Sequence, residues 1–181
     1  MCSSLEDSPA IIPPSPWLAM YYPCISAGQP VLDLAAGSGR HSRLLAAAGY
    51  PVLAVDRDAR ALADLQAFCP GVTTQCCDLE GGDWPLAGGQ FAGVVVCNYL
   101  WRPRLDAVWD LVAAGGFVIY ETFMVGNAVY GSPRNPDFLL QPGELRASAT
   151  AAGLELVAAF EGYVPLPRPA MRQAIIAHRP A

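Results

Sequence analysis

The stretch Val31-Leu32-Asp33-Leu34-Ala35-Ala36-Gly37-Ser38-Gly39-Arg40 decides how this chain is read. It opens as an apolar strand, tightens into a turn of small residues and runs on into a segment with helical spacing. Gly37 and Gly39 lack Cβ, so the backbone there can turn sharply and approach a ligand closely. A helix beginning near Arg40 points free N–H groups and a partial positive charge back at that ligand. Strand, glycine turn and helix in this order form the first half of a β-α-β unit.

The same alternation continues along the chain. Strands are expected at 30–35, 51–56, 72–76, 91–97, 116–121, 154–161 and 171–178. Residues 91–97 are almost uninterruptedly apolar, as a parallel strand buried on both faces must be. Helices are expected at 16–22, at 40–48 up to a Gly49 cap, and at 58–69, stopped by Pro70. A further helix is expected over 103–114, where Leu105, Val108, Trp109 and Val112 fall on one helical face, with Gly115 and Gly116 ending it. The last, over 142–152, has Pro142 at its start and Gly153 after its end. The linker 78–90 is too short and glycine-rich for a full helix, so one crossover helix is expected to be missing. Such alternation predicts an α/β doubly wound sheet in one domain, 16–181, preceded by a Pro/Ser-rich tail over 1–15. Ligands of such sheets bind beyond the carboxyl ends of the strands, where strand order reverses.

Composition narrows the chemistry. The 181 residues are 53% apolar and 15% charged, with net charge −5. That balance excludes disorder for most of the chain. All eleven cations are Arg, so a P-loop lysine, a Schiff-base lysine and a kinase-type Lys–Glu pair are all excluded. Net acidity disfavours nucleic acid as a partner, since phosphate binding needs a basic face. Six cysteines without a C-x-x-C pair give no structural metal site and read as free thiols of a cytoplasmic protein. No apolar run approaches the length of a membrane span, and the N-terminus does not have the pattern of a signal peptide. A serine-hydrolase elbow at Ser38 fails, because Ala36 and Arg40 stand where glycines are needed. His41 follows the glycine turn and reads as facing either the pocket or solvent; His178 reads as a strand-end residue.

Two acids extend the first signal. Asp56 ends the second strand, where a carboxylate can accept from both hydroxyls of a ribose. Asp78 ends the third, where a carboxylate can accept from an adenine amino group while Leu79 packs on the ring. Either alone reads equally well as a helix cap or turn aspartate. In order at three successive strand ends they match an adenosine-containing ligand. The third glycine of a dinucleotide fingerprint is absent, since Ser42 stands there, and Asp33 would repel a pyrophosphate. A ligand with a cationic amino group or sulfonium meets neither objection.

Taken together, residues 31–39 resemble motif I of the class I S-adenosylmethionine-dependent methyltransferases. The resemblance continues at Ala54-Val55-Asp56, Asp78-Leu79, Trp84-Pro85-Leu86 and the turn before the fifth strand, where Ala114 replaces the family's usual proline. It covers about residues 30–121. The chain is also similar to small bacterial methyltransferases with an Asn-Tyr-Leu-x-Arg-Pro stretch after strand four, and more distantly to tellurite-resistance and thiopurine methyltransferases. This resemblance implies a Rossmann-like sheet of seven strands with the last antiparallel, and S-adenosylmethionine as cofactor. It implies that Ala35, Gly37 and Gly39 line the methionine and ribose part, and that Asp33 holds the amino group, directly or through water. Asp56 would bind the ribose hydroxyls with Arg57 beside it, Asp78 and Leu79 the adenine, and Asn98 the methionine ammonium.

Asn98 and Tyr99 are the candidate catalytic residues, with Arg102 beside them. The family's prolines for amino methylation are absent at Asn98-Tyr99-Leu100-Trp101. The aperiodic segment 122–141, with Tyr130, Arg134 and Asn135, reads as a substrate lid with Arg134 as anion anchor, or as a packed Ω-loop. Trp17 reads as a cover for the cofactor or as an anchor for the first helix. The expected activity is methyl transfer to a small-molecule acceptor by a monomer or homodimer. The alternatives are a protein or RNA acceptor, a non-catalytic cofactor-binding protein and a nicotinamide oxidoreductase.

Overall fold

A computed structural model describes residues 12–181. Val31–Leu34 forms β1, followed by α2 (Arg40–Ala47), β2 (Val52–Asp56), α3 (Ala59–Phe68) and β3 (Thr73–Cys76). The chain then returns across the sheet to β4 (Phe91–Cys97), α4 (Leu105–Asp110) and β5 (Val112–Phe123), and ends with α5 (Glu144–Ala151), β6 (Glu155–Val164) and β7 (Ala170–His178). A short α1 (Pro16–Tyr21) precedes them all. The seven strands lie in the order β3-β2-β1-β4-β5-β7-β6. The first five pair in parallel, and β7 runs antiparallel to both of its neighbours. The seven-stranded expectation holds, as does the absence of a helix between β3 and β4.

Side chains alternate across the strands and build two cores. Leu32, Leu34, Val94, Val96, Val118 and Tyr120 face α4 and α5, whereas Val31, Ala54, Val95, Ile119 and Ile176 face α1, α2 and α3. Val94, Val95 and Val96 are all fully buried, the reason that strand reads as unbroken apolar sequence. β1 and β4 are neighbours although β2 and β3 intervene in sequence, so the connections leaving these two strands diverge and open a crevice at their carboxyl ends.

Two expectations change. The helix expected over 103–114 ends at Asp110, and Val112 is buried as a strand residue opposite Phe91 rather than on a helical face. Residues 113–116 bulge out before pairing resumes at Gly93 with Phe117. A Cβ on Gly116 would sit 2.8 Å from the Ala113 carbonyl and 2.9 Å from that of Phe91, so the bulge requires glycine there. Arg179 clamps the bulge: its guanidinium donates to the carbonyls of Trp109, Val112 and Ala152. The second change is at the N-terminus. Most of the expected tail lies in 1–11, outside the described residues. Ser15, however, is buried and caps α1 by accepting from the Trp17 N–H at 3.1 Å. No helix among the described residues is long and apolar enough to cross a membrane.

Candidate functional site

The crevice between the ends of β1 and β4 contains a cavity of about 230 Å³. Its walls come from four strand ends: Ala35 after β1, Asp56 and Arg57 after β2, Cys77 to Glu80 after β3, and Asn98 and Tyr99 after β4. Among the described residues, Ala35 and Asn98 are the two non-glycine residues with positive φ, at 55° and 59°. L-residues avoid this region at a cost of order 1 kcal/mol, and residues held there concentrate at functional sites. Both line the cavity, one at the end of each strand that flanks the switch point.

Asp56 is oriented before any ligand arrives. Its Oδ2 accepts the Gly37 N–H at 2.7 Å and its Oδ1 the Asp58 N–H at 2.9 Å. Asp78 is fixed similarly through the Glu80 N–H at 2.9 Å. Arg57 is mostly exposed and stands 4.0 Å from Glu80, so that pair contributes little to stability. A Cβ on Gly37 would meet nothing, because the position faces open space. Gly39 differs: a Cβ there would come within 2.4 Å of Leu65 Cδ1, so its bareness serves the packing of α3.

Asp33 is not among the cavity walls. It is 1% exposed and accepts from the Ser42 hydroxyl at 2.6 Å. Burial is the largest influence on it and raises its carboxyl from 3.8 to about 6, against the opposing hydrogen bond from Ser42. His41, expected at the pocket or in solvent, is instead buried beside it, 3.9 Å away, and burial lowers its imidazole to about 3. At neutral pH the histidine is therefore neutral, and the contact is not an ion pair. Asp33 Oδ1 and His41 Nε2 have no hydrogen-bond partner among the described residues.

Tyr99 places a buried, unpartnered hydroxyl against the cavity. Burial first, then the nearby carboxylates of Glu80 and Asp78, push its phenol well up, so it is a hydrogen-bond donor and not a base at neutral pH. Arg102 lies away from the cavity. It forms four hydrogen bonds, to both Glu144 oxygens at 2.7 and 2.9 Å and to the carbonyls of Asp137 and Leu139 at 2.6 and 2.7 Å. With four of its five donors used, it fastens the segment after β5 to α5 rather than offering itself to a substrate.

That segment is held at several points. Met124 bridges to Leu140, and buried Asn127 donates to the Pro133 carbonyl while accepting the Met171 N–H. Tyr130 packs against Tyr163 with tilted rings whose centroids are 5.2 Å apart. Asn135 caps a 3-10 turn, and Arg134 is exposed. Trp17 stacks on Tyr21 and lies 6.5 Å from the Phe160 ring, so it anchors α1 on the sheet and does not line the cavity.

Three residues that the sequence reading passes over meet at the ends of β4, β5 and β7. Glu121 accepts from Ser15 Oγ through Oε2 and from Arg172 Nη1 at 2.9 Å through Oε1. The same Arg172 nitrogen donates to Asn98 Oδ1 at 2.7 Å. Ser15 before Pro16 carries a helix-cap signal, and Glu121 lies at a strand's carboxyl end; Arg172 has no local signal. The described residues contain no cluster able to hold a metal ion.

The fold, the switch-point cavity and its ordered acids define a class I methyltransferase architecture. Residues 31–116, just under half of the chain, match the family model described as a methyltransferase domain. Over those residues the chain is similar to a methyltransferase domain. No curated protein sequence matches the chain. Among solved structures, the TehB-like SAM-dependent methyltransferase from Corynebacterium glutamicum is 19% identical, with 90% of this chain and 86% of that one covered and a TM-score of 0.67. TehB from Haemophilus influenzae is also 19% identical, with a TM-score of 0.74, covering 90% of this chain and 61% of its own. The 1,6-didemethyltoxoflavin-N1-methyltransferase from Burkholderia thailandensis, solved with its substrate and S-adenosylhomocysteine, is 20% identical over 92% of this chain and 77% of that one, with a TM-score of 0.70. At these identities the likeness is one of fold.

Proposed function

We propose that the protein transfers the methyl group of S-adenosylmethionine to a small-molecule acceptor in the cytoplasm. The observation that carries this reading is the cavity between the left-handed Ala35 and Asn98, with Asp56 and Asp78 already aimed at it. In this reading Asp56 takes the ribose hydroxyls with the lone pairs its two backbone donors leave free. Asp78 and Leu79 take the adenine, with Arg57 over its open edge and the Tyr99 hydroxyl supplying a donor. Ala35 and Gly37 form the floor under the methionine part, and Asn98 faces its ammonium. Asp33, buried behind the turn, acts on the amino group only through an intervening water, and Gly39 only by placing α2. The Burkholderia enzyme named above acts on a small heterocycle, which supports a small acceptor here. The net charge of −5 argues against RNA.

The cofactor supplies a methyl carbon bound to a good leaving group. The chain's own residues have to align the acceptor with that carbon and exclude water, a contribution of roughly 7–11 kcal/mol in well-oriented reactions. Calorimetric titration with S-adenosylhomocysteine, run beside NADH and NADPH, tests the reading. Micromolar binding of the first alone is expected; binding of a nicotinamide instead, or of none of the three, refutes it.

A further inference from the structure

Buried Glu121 and Ser15 and the half-buried Arg172 have no part in holding the adenosine, yet they adjoin the cavity through the exposed Asn98. Glu121 is 8% exposed, and the Arg172 side chain is 15% exposed. A buried ion pair is seldom a stabilising device, because desolvation of both ions offsets their attraction. An apolar pair at this strand end would hold the sheet as well.

The connections are specific. Glu121 pairs with Cys97 in register, and the Asn98 N–H donates to the Glu121 carbonyl at 2.9 Å. The carboxylate therefore stands at the carboxyl end of the strand beside β4, next to the residue that walls the methionine end of the cleft. Arg172 fixes Oε1 and holds Asn98 at the same time, so Glu121 and the left-handed turn move as one unit. Oε2 faces the N-terminal strap. There it accepts one hydrogen bond, from the Ser15 hydroxyl. The strap is held at a second point, where the Pro13 carbonyl accepts from Arg40 Nη1 at 2.9 Å. Arg40 begins the helix after the glycine turn, so the strap crosses from the motif I side of the crevice to the end of β5.

We infer that Glu121 is the acceptor-binding carboxylate of this methyltransferase, and that the Ser15 hydroxyl keeps the place of the acceptor's own O–H or N–H until the acceptor displaces it. The inference rests on the methyltransferase reading above and names its acceptor class: a small molecule presenting a hydroxyl or an amine, not a carboxylate, a thioether or a carbon acid. In the reaction the acceptor's lone pair forms the bond to the methyl carbon. The carbon–sulfur bond breaks with its electron pair left on sulfur, and the acceptor's proton passes to Oε2 of Glu121. Ser15 leaves the pocket with the strap and takes no part in the transfer.

The test uses the full chain, tritiated S-adenosylmethionine and a probe panel of phenol, catechol and benzylamine, with benzoate as the anionic control. S-adenosylhomocysteine binding is measured by calorimetry on each protein. Methylation of at least one hydroxyl or amine probe is expected, with none on benzoate. Ser15→Ala removes the competing hydrogen bond to a charged group, so it should lower KM for that probe about tenfold. Glu121→Gln keeps the shape and removes the proton acceptor, so it should lower kcat about 100-fold or more while S-adenosylhomocysteine affinity stays within about threefold. Four results overturn the inference in a protein that binds S-adenosylhomocysteine: no donor probe methylated by wild type or Ser15→Ala, unchanged turnover in Glu121→Gln, turnover and cofactor binding lost together in that variant, or an unmoved KM in Ser15→Ala. A wild-type chain that does not bind S-adenosylhomocysteine refutes the methyltransferase reading instead.

Discussion

Asp33 shows how the burial of one carboxyl ties stability to pH. Its folded carboxyl near 6 lies above its unfolded value of 3.8, so the folded state binds the proton more tightly. The associated stability is present below about pH 4 and is lost as pH rises through 6. Held ionised above that range, this fully buried group costs about 3 kcal/mol. His41 acts in the opposite direction: its folded value of about 3 lies below 6.5, so its contribution is present above pH 6.5 and lost as pH falls toward 3. Between pH 4 and 6 the two slopes largely cancel. Asp33→Asn keeps the Ser42 hydrogen bond and removes the buried charge. It is expected to raise unfolding free energy by about 1–3 kcal/mol at pH 7.5 and by almost nothing at pH 4, leaving the acid sensitivity of His41 exposed. Urea titrations at both pH values measure this, and equal gains at both would contradict the burial argument. Asp56→Ala at the cavity mouth should weaken S-adenosylhomocysteine binding by about 1–3 kcal/mol with the fold intact. Unaltered affinity by calorimetry would remove Asp56 from the ribose site.

At the scale of elements, the segment after β5 derives its order from Arg102. The hydrogen bonds with Glu144 raise the Arg102 guanidinium and are the largest influence lowering the Glu144 carboxyl, so each favours the charged form of the other. Arg102→Ala should cost about 1–3 kcal/mol, discounted from the full set of bonds because the arginine is about a third exposed. It should also speed amide exchange over 124–140. Cofactor affinity is expected to stay the same, since Arg102 does not wall the cavity; a large loss of S-adenosylhomocysteine binding would mean that the segment closes over the cofactor itself. The helix α4 teaches a related point. Leu105, Val108 and Trp109 do share its buried face, but the match of Val112 to the same period was coincidental. A buried side chain satisfies either period when a strand follows a helix within two residues, so the pattern alone could not place that boundary.

Across the whole molecule, the two ends of the sheet do different work. The carboxyl end carries the cavity, the strained Ala35 and Asn98, the buried Glu121 and the half-buried Arg172. The amino end of β5 carries the Arg179 clamp, which joins the bulge after Val112 to the ends of α4 and α5. Arg179→Ala should therefore lower unfolding free energy by about 1–3 kcal/mol and leave S-adenosylhomocysteine affinity unchanged, a separation that a coupled effect on both would disprove. The sequence by itself determined the strands and most helices, the doubly wound sheet, and the ordered set Gly37, Asp56 and Asp78 at successive strand ends. These are readable because period, turn chemistry and the β-α-β rule act over a few residues at a time. Only the tertiary structure decided that Gly39 serves Leu65, that Arg102 faces away from the cavity and that Asp33 and His41 are buried together. It alone joined Ser15 to Glu121 across 106 positions of sequence, with Arg172 arriving from the antiparallel β7. Strand order brings those residues together, and strand order is settled by packing over the whole sheet, which no local pattern encodes.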